Sequence, residues 1–354
     1  MMKRTLLVFL ILTSVIFTFL YFQKREIVTS NINPDSKINN KSLIQKKESY
    51  IFVPYWTFND VISVEDYDNV IYFGVSVDGN GINTNEDGYK KIGLFSDFIP
   101  KDKKTYLALR LLDKNIHEKV LNDLSFQNSI SKETILIAEK YGFDGIVVDF
   151  ETSAFGFQST EKLITSFYKN IKEKVASADL EFITTLFGDT YYRARPYDVK
   201  EIALISDKVI IMAYDFHKAR LNPGPNFPFS EKSKYGYDFK TMTDDFMKDV
   251  PIDKIIVAFG FFGYDWTLNE NGVNLGEAEA MSFNQIKSRF LENCAFDNCR
   301  EGNNSDGEPF VKYKDKEGYR HEVWFENEES VTEKIEFLKS KGIRKTTIWA
   351  YSFY

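Results

Sequence analysis

The sequence predicts a (β/α)8 barrel, and three observations carry the prediction. Eight short apolar runs follow one another between Tyr50 and Tyr351, amphipathic helical patterns separate several of them, and the roughly 300 residues involved suit a single barrel. Continuous apolar strands alternating with helices mark a parallel sheet covered on its outer face. A doubly wound open sheet is the alternative. The Gly-x-Gly-x-x-Gly turn that would support it does not occur.

Residues 1–22 precede this pattern. Met1-Met2-Lys3-Arg4 is a short basic start, and Leu6–Phe22 is an apolar run broken only by Thr13, Ser14 and Thr18. It reads as a signal anchor, or as a signal peptide if it is cleaved; no Ala-x-Ala-like site follows it. Basic residues flank it on both sides, which leaves the charge rule for orientation nearly balanced. Residues 23–49 are polar and rich in Asn, Ser and Lys, the composition of a flexible stalk. The folded body is expected over 50–354. An exported protein follows from this reading, membrane-anchored outside the cytoplasm, or secreted after cleavage.

The strands then come in order. Tyr50–Tyr55 is the first and Asn69–Ser76 the second, the latter ended by the turn Asp78-Gly79-Asn80-Gly81. Thr105–Leu111, Gly145–Phe150, Glu181–Phe187 and Lys208–Tyr214 are the third to sixth, Lys254–Phe262 the seventh and Thr346–Tyr351 the eighth. Helical patterns over Lys132–Tyr141, Thr160–Ala178 and Val331–Lys341 lead into the fourth, fifth and eighth. Residues 276–330 interrupt the alternation between strands seven and eight. They carry strand-like runs of their own, Pro309–Lys314 and His321–Phe325, and read as a small α+β lobe beside the barrel mouth.

Charge and composition exclude several functions. A net charge of −7, with no basic excess, argues against a nucleic-acid partner. Three His and two Cys leave little material for a metal centre, and His117-Glu118-Lys119 lacks the second His of a zinc-protease helix. No metal and no organic cofactor is expected. Cys294 and Cys299, with four residues between them, read as a local disulfide in an exported chain and as inert thiols if reduced.

The candidate chemistry lies in Phe143–Glu151, FDGIVVDFE. Residues two apart on a strand share a face, so Val147, Asp149 and Glu151 point one way and Ile146, Val148 and Phe150 the other. The second face is apolar and suits the helix layer. The first points into the barrel, with the acids toward the C-terminal rim, where barrel enzymes place catalytic groups. Neighbouring acids there perturb each other's proton affinity, which suits a proton donor. Capping the next helix or pairing with a barrel Arg is the plain structural alternative. Both acids reach a substrate from one side. They do not by themselves flank a glycosidic bond as the nucleophile and acid of an ordinary retaining glycosidase do.

FDGIVVDFE resembles the signature of glycoside hydrolase family 18, the chitinase-like barrels, written D-G-x-D-x-D-x-E. Met212-Ala213-Tyr214-Asp215 is similar to the family's Met-x-Tyr-Asp after strand six, Phe259–Trp266 (FGFFGYDW) to its seventh-strand segment, and Ile348-Trp349 to its eighth-strand Trp. Met281-Ser282-Phe283, His321–Ser330 (HEVWFENEES) and Met212–Pro225 (MAYDFHKARLNPGP) resemble the spore-germination N-acetylglucosaminidase branch. No LysM-like repeat precedes the barrel pattern.

The resemblance implies roles position by position. Glu151 is the expected general acid. Asp149 is expected to orient the substrate's N-acetyl group, and Tyr214 to hydrogen-bond its carbonyl. Asp215 and Asp144 are expected to support the site, with Trp349 stacking under the sugar. Tyr55 and Phe73, at the ends of early strands, are candidates for lining the cleft, with core or rim packing as the alternative; Trp56 is read the same way. His217 is read as a rim residue and His321 as packing within the insertion. The substrate implied is a β-1,4-linked N-acetylglucosamine polymer, peptidoglycan rather than chitin, cleaved by a monomer. One position departs from the signature: its middle Asp is Val147 here, which removes a polar neighbour from Asp149. A lectin-like barrel that binds saccharide without cleaving it is the alternative that Val147 mildly favours.

Overall fold

The computed structural model describes residues 48–58, 62–152, 158–303 and 307–354. The expected membrane segment, 1–22, and the stalk as far as residue 47 lie outside the described residues. Among those described, no helix is long and apolar enough to cross a membrane. Glu48 and Ser49, assigned to the stalk for their polarity, already belong to the first strand, where they pair with Lys345 and Thr346. Ser49 is polar because it sits at the strand's entry and bonds Asp68.

The barrel strands are β1 (Glu48–Pro54), β2 (Asn69–Asp78), β4 (Lys104–Leu111), β5 (Gly145–Phe150), β6 (Glu181–Phe187), β7 (Lys208–Met212), β8 (Ile255–Gly260) and β14 (Lys345–Trp349); β3 (Gly81–Ile82) is a short antiparallel addition to β2. They pair in parallel in the order β1-β14-β8-β7-β6-β5-β4-β2, and β2 pairs back onto β1, closing the ring. The crossover helices include α1 (Ile92–Phe98), α2 (Leu124–Tyr141), α3 (Gln158–Ser177), α4 (Val199–Ile205), α5 (Phe239–Asp249) and α6 (Glu328–Ser340). This is the (β/α)8 barrel that the alternation predicts.

Alternation along each strand divides the core. Inward residues, among them Tyr50, Ile71, Ala108, Val147, Ile183, Ile210 and Ala258, fill the barrel interior. Outward residues, among them Ile146, Val148 and Phe150, pack beneath the helices. The helices start where short polar side chains satisfy free backbone N–H groups: Asp123 caps α2, Asp198 α4 and Asp238 α5, and Asn327 and Ser330 form a capping box on α6. Gly142, in the left-handed region at φ 71°, ends α2.

The lobe begins earlier than residue 276. β9 (Phe262–Leu268) turns away from the barrel directly after β8 and becomes part of an antiparallel sheet with β10 (Glu279–Ser282), β11 (Asp297–Asn303), β12 (Pro309–Lys314) and β13 (Arg320–Phe325), in the order β10-β9-β13-β12-β11. The apolar run 254–262 conceals this break, because β8 and β9 are both buried. Phe261 marks it: its N–H donates to Trp349 O at 2.9 Å across the barrel edge. One face of the lobe sheet packs Met281, Ile286, Phe290 and Val311, and the other Trp266, Leu268 and Trp324. Cys294 and Cys299 are joined as a disulfide in this lobe. A fully buried Lys334 on α6 bonds Phe227 O and the carboxylates of Glu308 and Glu326, tying the lobe's strands to the barrel.

Candidate active site

The C-terminal end of the barrel opens into a cavity of about 810 Å³. Asp149 is the inward residue near the end of β5, almost wholly buried, and the Thr185 hydroxyl on β6 donates to its Oδ1. Glu151 follows two positions later and also lines the cavity. Its backbone is fixed from both sides. Glu151 N–H donates to Leu111 O at 3.2 Å, while the Tyr197 hydroxyl donates to Phe150 O at 2.8 Å and accepts from Thr152 N–H at 3.0 Å.

Burial raises the pKa of both acids. For Asp149 the Thr185 hydrogen bond and the Arg110 charge oppose the rise. For Glu151 the negative charge of Asp149 adds to burial, and the rise is larger, against the partial opposition of Lys218 and Arg195. Glu151, beside the negative Asp149, is thus pushed toward its protonated form, while the Thr185 hydroxyl and the Arg110 charge favour the charged form of Asp149. Tyr214 lies in the same cavity. Burial, reinforced by the charges of Glu151 and Asp149, pushes its phenol well above the ordinary range, so it remains a donor.

Asp215 completes the acidic group. Its backbone is left-handed, φ 61°, which Asp tolerates better than most residues. The conformation is held by Asn226, whose Oδ1 accepts from Asp215 N–H at 2.8 Å while its amide donates to Gly260 O at 3.1 Å. Tyr264, on β9 of the lobe, donates to Asp215 Oδ1 at 2.8 Å. Part of the cavity lining is aromatic. Trp349 meets Phe73 edge-to-face at 4.7 Å and Phe52 at 5.5 Å, and Trp56 lies beside it, half exposed.

Asp149, Glu151, Tyr214, Asp215, Phe73 and Trp349 thus converge on one cavity. Two expected residues do not. Asp144 precedes β5, at the barrel's N-terminal end, where its Oδ2 accepts from Thr105 N–H at 2.7 Å. Five residue rises, about 16 Å, separate it from Asp149, so it supports the entry to the strand and not the cavity. Tyr55 does not line the cavity either: its hydroxyl is turned to Glu86 Oε1 at 2.9 Å and its ring lies under the Arg110 guanidinium. Trp56 lines the cavity instead.

His217 is held by Pro225 O at 2.7 Å and does not line the cavity. His321 bridges Asp265 and Asp315 within the lobe. No cluster of three or more His, Cys, Asp or Glu suited to a metal occurs among the described residues.

Thr185, Arg110, Asn226 and Tyr264 escaped the sequence reading. Thr185 and Arg110 carry a weak signal, as inward polar positions near the ends of apolar strands. Tyr264 lies inside the motif Phe259–Trp266 without being singled out by it, and Asn226 carries no signal without the tertiary fold.

Residues 12–353 match the model of Glycosyl hydrolases family 18. The cortical fragment-lytic enzyme of Bacillus anthracis is 26% identical over 240 residues, covering 65% of this chain and 51% of that protein. The chain spans about half the length of the curated relatives it matches first. The crystal structure of the Bacillus cereus spore cortex-lytic enzyme SleL superposes with a TM-score of 0.66 at 21% identity, covering 87% of this chain and 71% of that one. The Cycas revoluta GH18 chitinase in complex with (GlcNAc)3 gives 0.69 at 19% identity, over 86% and 95%. Matched along nearly its whole length, with acids at the rim of β5, the chain belongs to glycosyl hydrolase family 18.

Proposed function

We propose that the protein is a glycosidase that cleaves β-1,4-linked N-acetylglucosamine polymers with retention, using the substrate's own acetamide as nucleophile. The observation that carries the reading is the pair of buried acids at the C-terminal end of β5, two residues apart and both lining the cavity, of which Asp149 accepts from the Thr185 hydroxyl and Glu151 lies beside that negative charge. In this reading Glu151 protonates the leaving glycosidic oxygen. Asp149 accepts the acetamide N–H and balances the positive ring that forms when the acetamide oxygen attacks the anomeric carbon. Tyr214 donates to the acetamide, Asp215 supports it, and Trp349 is the floor for the sugar. Water then opens the ring with Glu151 acting as base.

A bacterial wall glycan is favoured over chitin because relatives are named for lysis of spore cortex. Export agrees with the apolar run Leu6–Phe22, which holds the enzyme at a membrane if it is retained. The test is digestion of purified peptidoglycan and of chitin oligosaccharides by the full chain, with products read by mass spectrometry. Fragments with N-acetylglucosamine reducing ends support the reading and identify the polymer. Saccharide binding without cleavage of either substrate overturns it in favour of a lectin.

A further inference from the structure

Asp149 sits between two strands whose inward residues differ in kind from one layer to the next. In the layer beneath it, Val147 aligns with Ala108 on β4 and Ile183 on β6, all buried and apolar. In its own layer, Asp149 aligns with Arg110 on β4. On β6, Thr184 aligns with Val148, which brings Thr185 alongside Asp149. A carboxylate over an apolar layer finds no hydrogen-bond partner below, so any neutral donor must come from the side. Thr185 and Asp149 are both almost wholly buried, and the Thr185 hydroxyl donates to Asp149 Oδ1. Arg110 does not take this place: its Nη2 pairs with Glu86 Oε1 at 2.8 Å and its guanidinium lies over Tyr55 and Phe73.

We infer that Thr185 is a positioning residue of the reaction, supplying from β6 the polar support that an acid at position 147 would supply from β5. The inference rests on the function proposed above. The hydroxyl holds Oδ1 and leaves Oδ2 for the acetamide N–H, which fixes the rotation of the carboxylate about its bond to the chain. It also favours the charged form of Asp149, the form that can accept that N–H and balance the positive ring. The other titratable groups around Asp149 are Glu151 directly after its own strand, Arg110 from β4, Tyr168 from α3, and Tyr197 and Tyr214 from the loops after β6 and β7. None of the three phenols changes charge in the acid range where Asp149 titrates.

The experiment compares the full-length protein with Thr185→Val, Thr185→Ser and Thr185→Val/Val147→Asn. Val keeps the shape and removes the donor; Ser keeps the donor; Asn at 147 offers a new donor from below. Initial rates on an aryl glycoside of chitobiose are followed against pH. Thr185→Val is expected to move the acid limb of kcat/KM upward by about one to two pH units and to lower kcat about 10- to 100-fold, with KM nearly unchanged. Ser keeps the wild-type limb, and Asn at 147 restores part of it. An unchanged limb and kcat in Thr185→Val, or an equal shift in the Ser variant, overturns the inference. A second readout does not depend on hydrolysis. With 13C-carboxyl-labelled aspartate, the Asp149 resonance, assigned by its loss in Asp149→Asn, is titrated in each variant. An upward midpoint in Thr185→Val alone supports the role of Thr185 even if no substrate is cleaved, in which case the proposed function fails by itself. An unchanged midpoint removes the role of Thr185 even if cleavage is robust.

Discussion

The Tyr264 hydroxyl donates to Asp215 Oδ1 at 2.8 Å, so a strand of the inserted lobe holds a carboxylate at the rim of the barrel. Asp215 is otherwise burdened by burial, which raises its pKa, and Lys218 and this hydrogen bond are the main opposing influences. Tyr264→Phe removes the donor and leaves the ring. A hydrogen bond to a charged group contributes about 1.5–3 kcal/mol to folding, so the melting temperature should fall, and kcat/KM should fall about tenfold as the carboxylate loses its fixed position. Steady-state rates and a melting curve on the same sample check both halves.

The two raised acids set the expected pH dependence. In the proposed reaction Asp149 acts ionised and Glu151 protonated, so kcat/KM against pH should be bell-shaped, with both limbs above the ordinary carboxyl values of 3.8 and 4.5. Linkage gives the matching stability effect. Because the folded pKa of Glu151 is raised, the unfolded chain loses this proton first as pH rises. Stability is therefore lost between the unfolded and the folded pKa. Glu151→Gln abolishes that loss. Its melting temperature should exceed the wild-type value by about 2 °C near pH 8 and match it near pH 4; differential scanning calorimetry at both pH values decides.

Trp349 is expected to act through the sugar face. Its ring is already fixed against Phe73 and Phe52, so little freedom is lost when a saccharide stacks on it. Trp349→Ala should weaken saccharide affinity about tenfold or more, measured calorimetrically in a Glu151→Gln background to prevent turnover. The same change should cost about 3 kcal/mol of folding stability through lost packing.

Lys334 makes the lobe's attachment fragile to single changes. Its ammonium is enclosed with Glu308 and Glu326, all three fully buried, and burial raises the pKa of Glu308 against the pull of Lys334. Lys334→Met leaves buried carboxyls without their cation and should destabilise the fold by about 3–5 kcal/mol in urea unfolding. Surface pairs such as Arg220–Glu277 should contribute under about 1 kcal/mol by the same method.

Much of this architecture was legible in the chain. The run Gly145–Phe150 is a strand with the ends the pattern implies, and its period of two places Asp149 inward and Phe150 beneath the helices. Two kinds of information were not local. The break between β8 and β9 is hidden because a barrel strand and a lobe strand buried on both faces look alike as apolar runs. Asp144 was misplaced because a linear motif does not show that its first acid lies a strand's length from its last. Thr185 gains its meaning only from the alignment of β6 with β5, and Asn226 from a loop folding back on Gly260 and Phe262.

The most direct test of the central claim is the ratio of turnover in Glu151→Gln to that of the wild type on a β-1,4-linked N-acetylglucosamine oligosaccharide, with affinity measured alongside. If Glu151 is the proton donor of a substrate-assisted cleavage, kcat falls by about 10²- to 10⁴-fold while saccharide affinity is preserved. Turnover within about threefold of the wild type, at unchanged affinity, would contradict the account and remove the β5 pair from the chemistry.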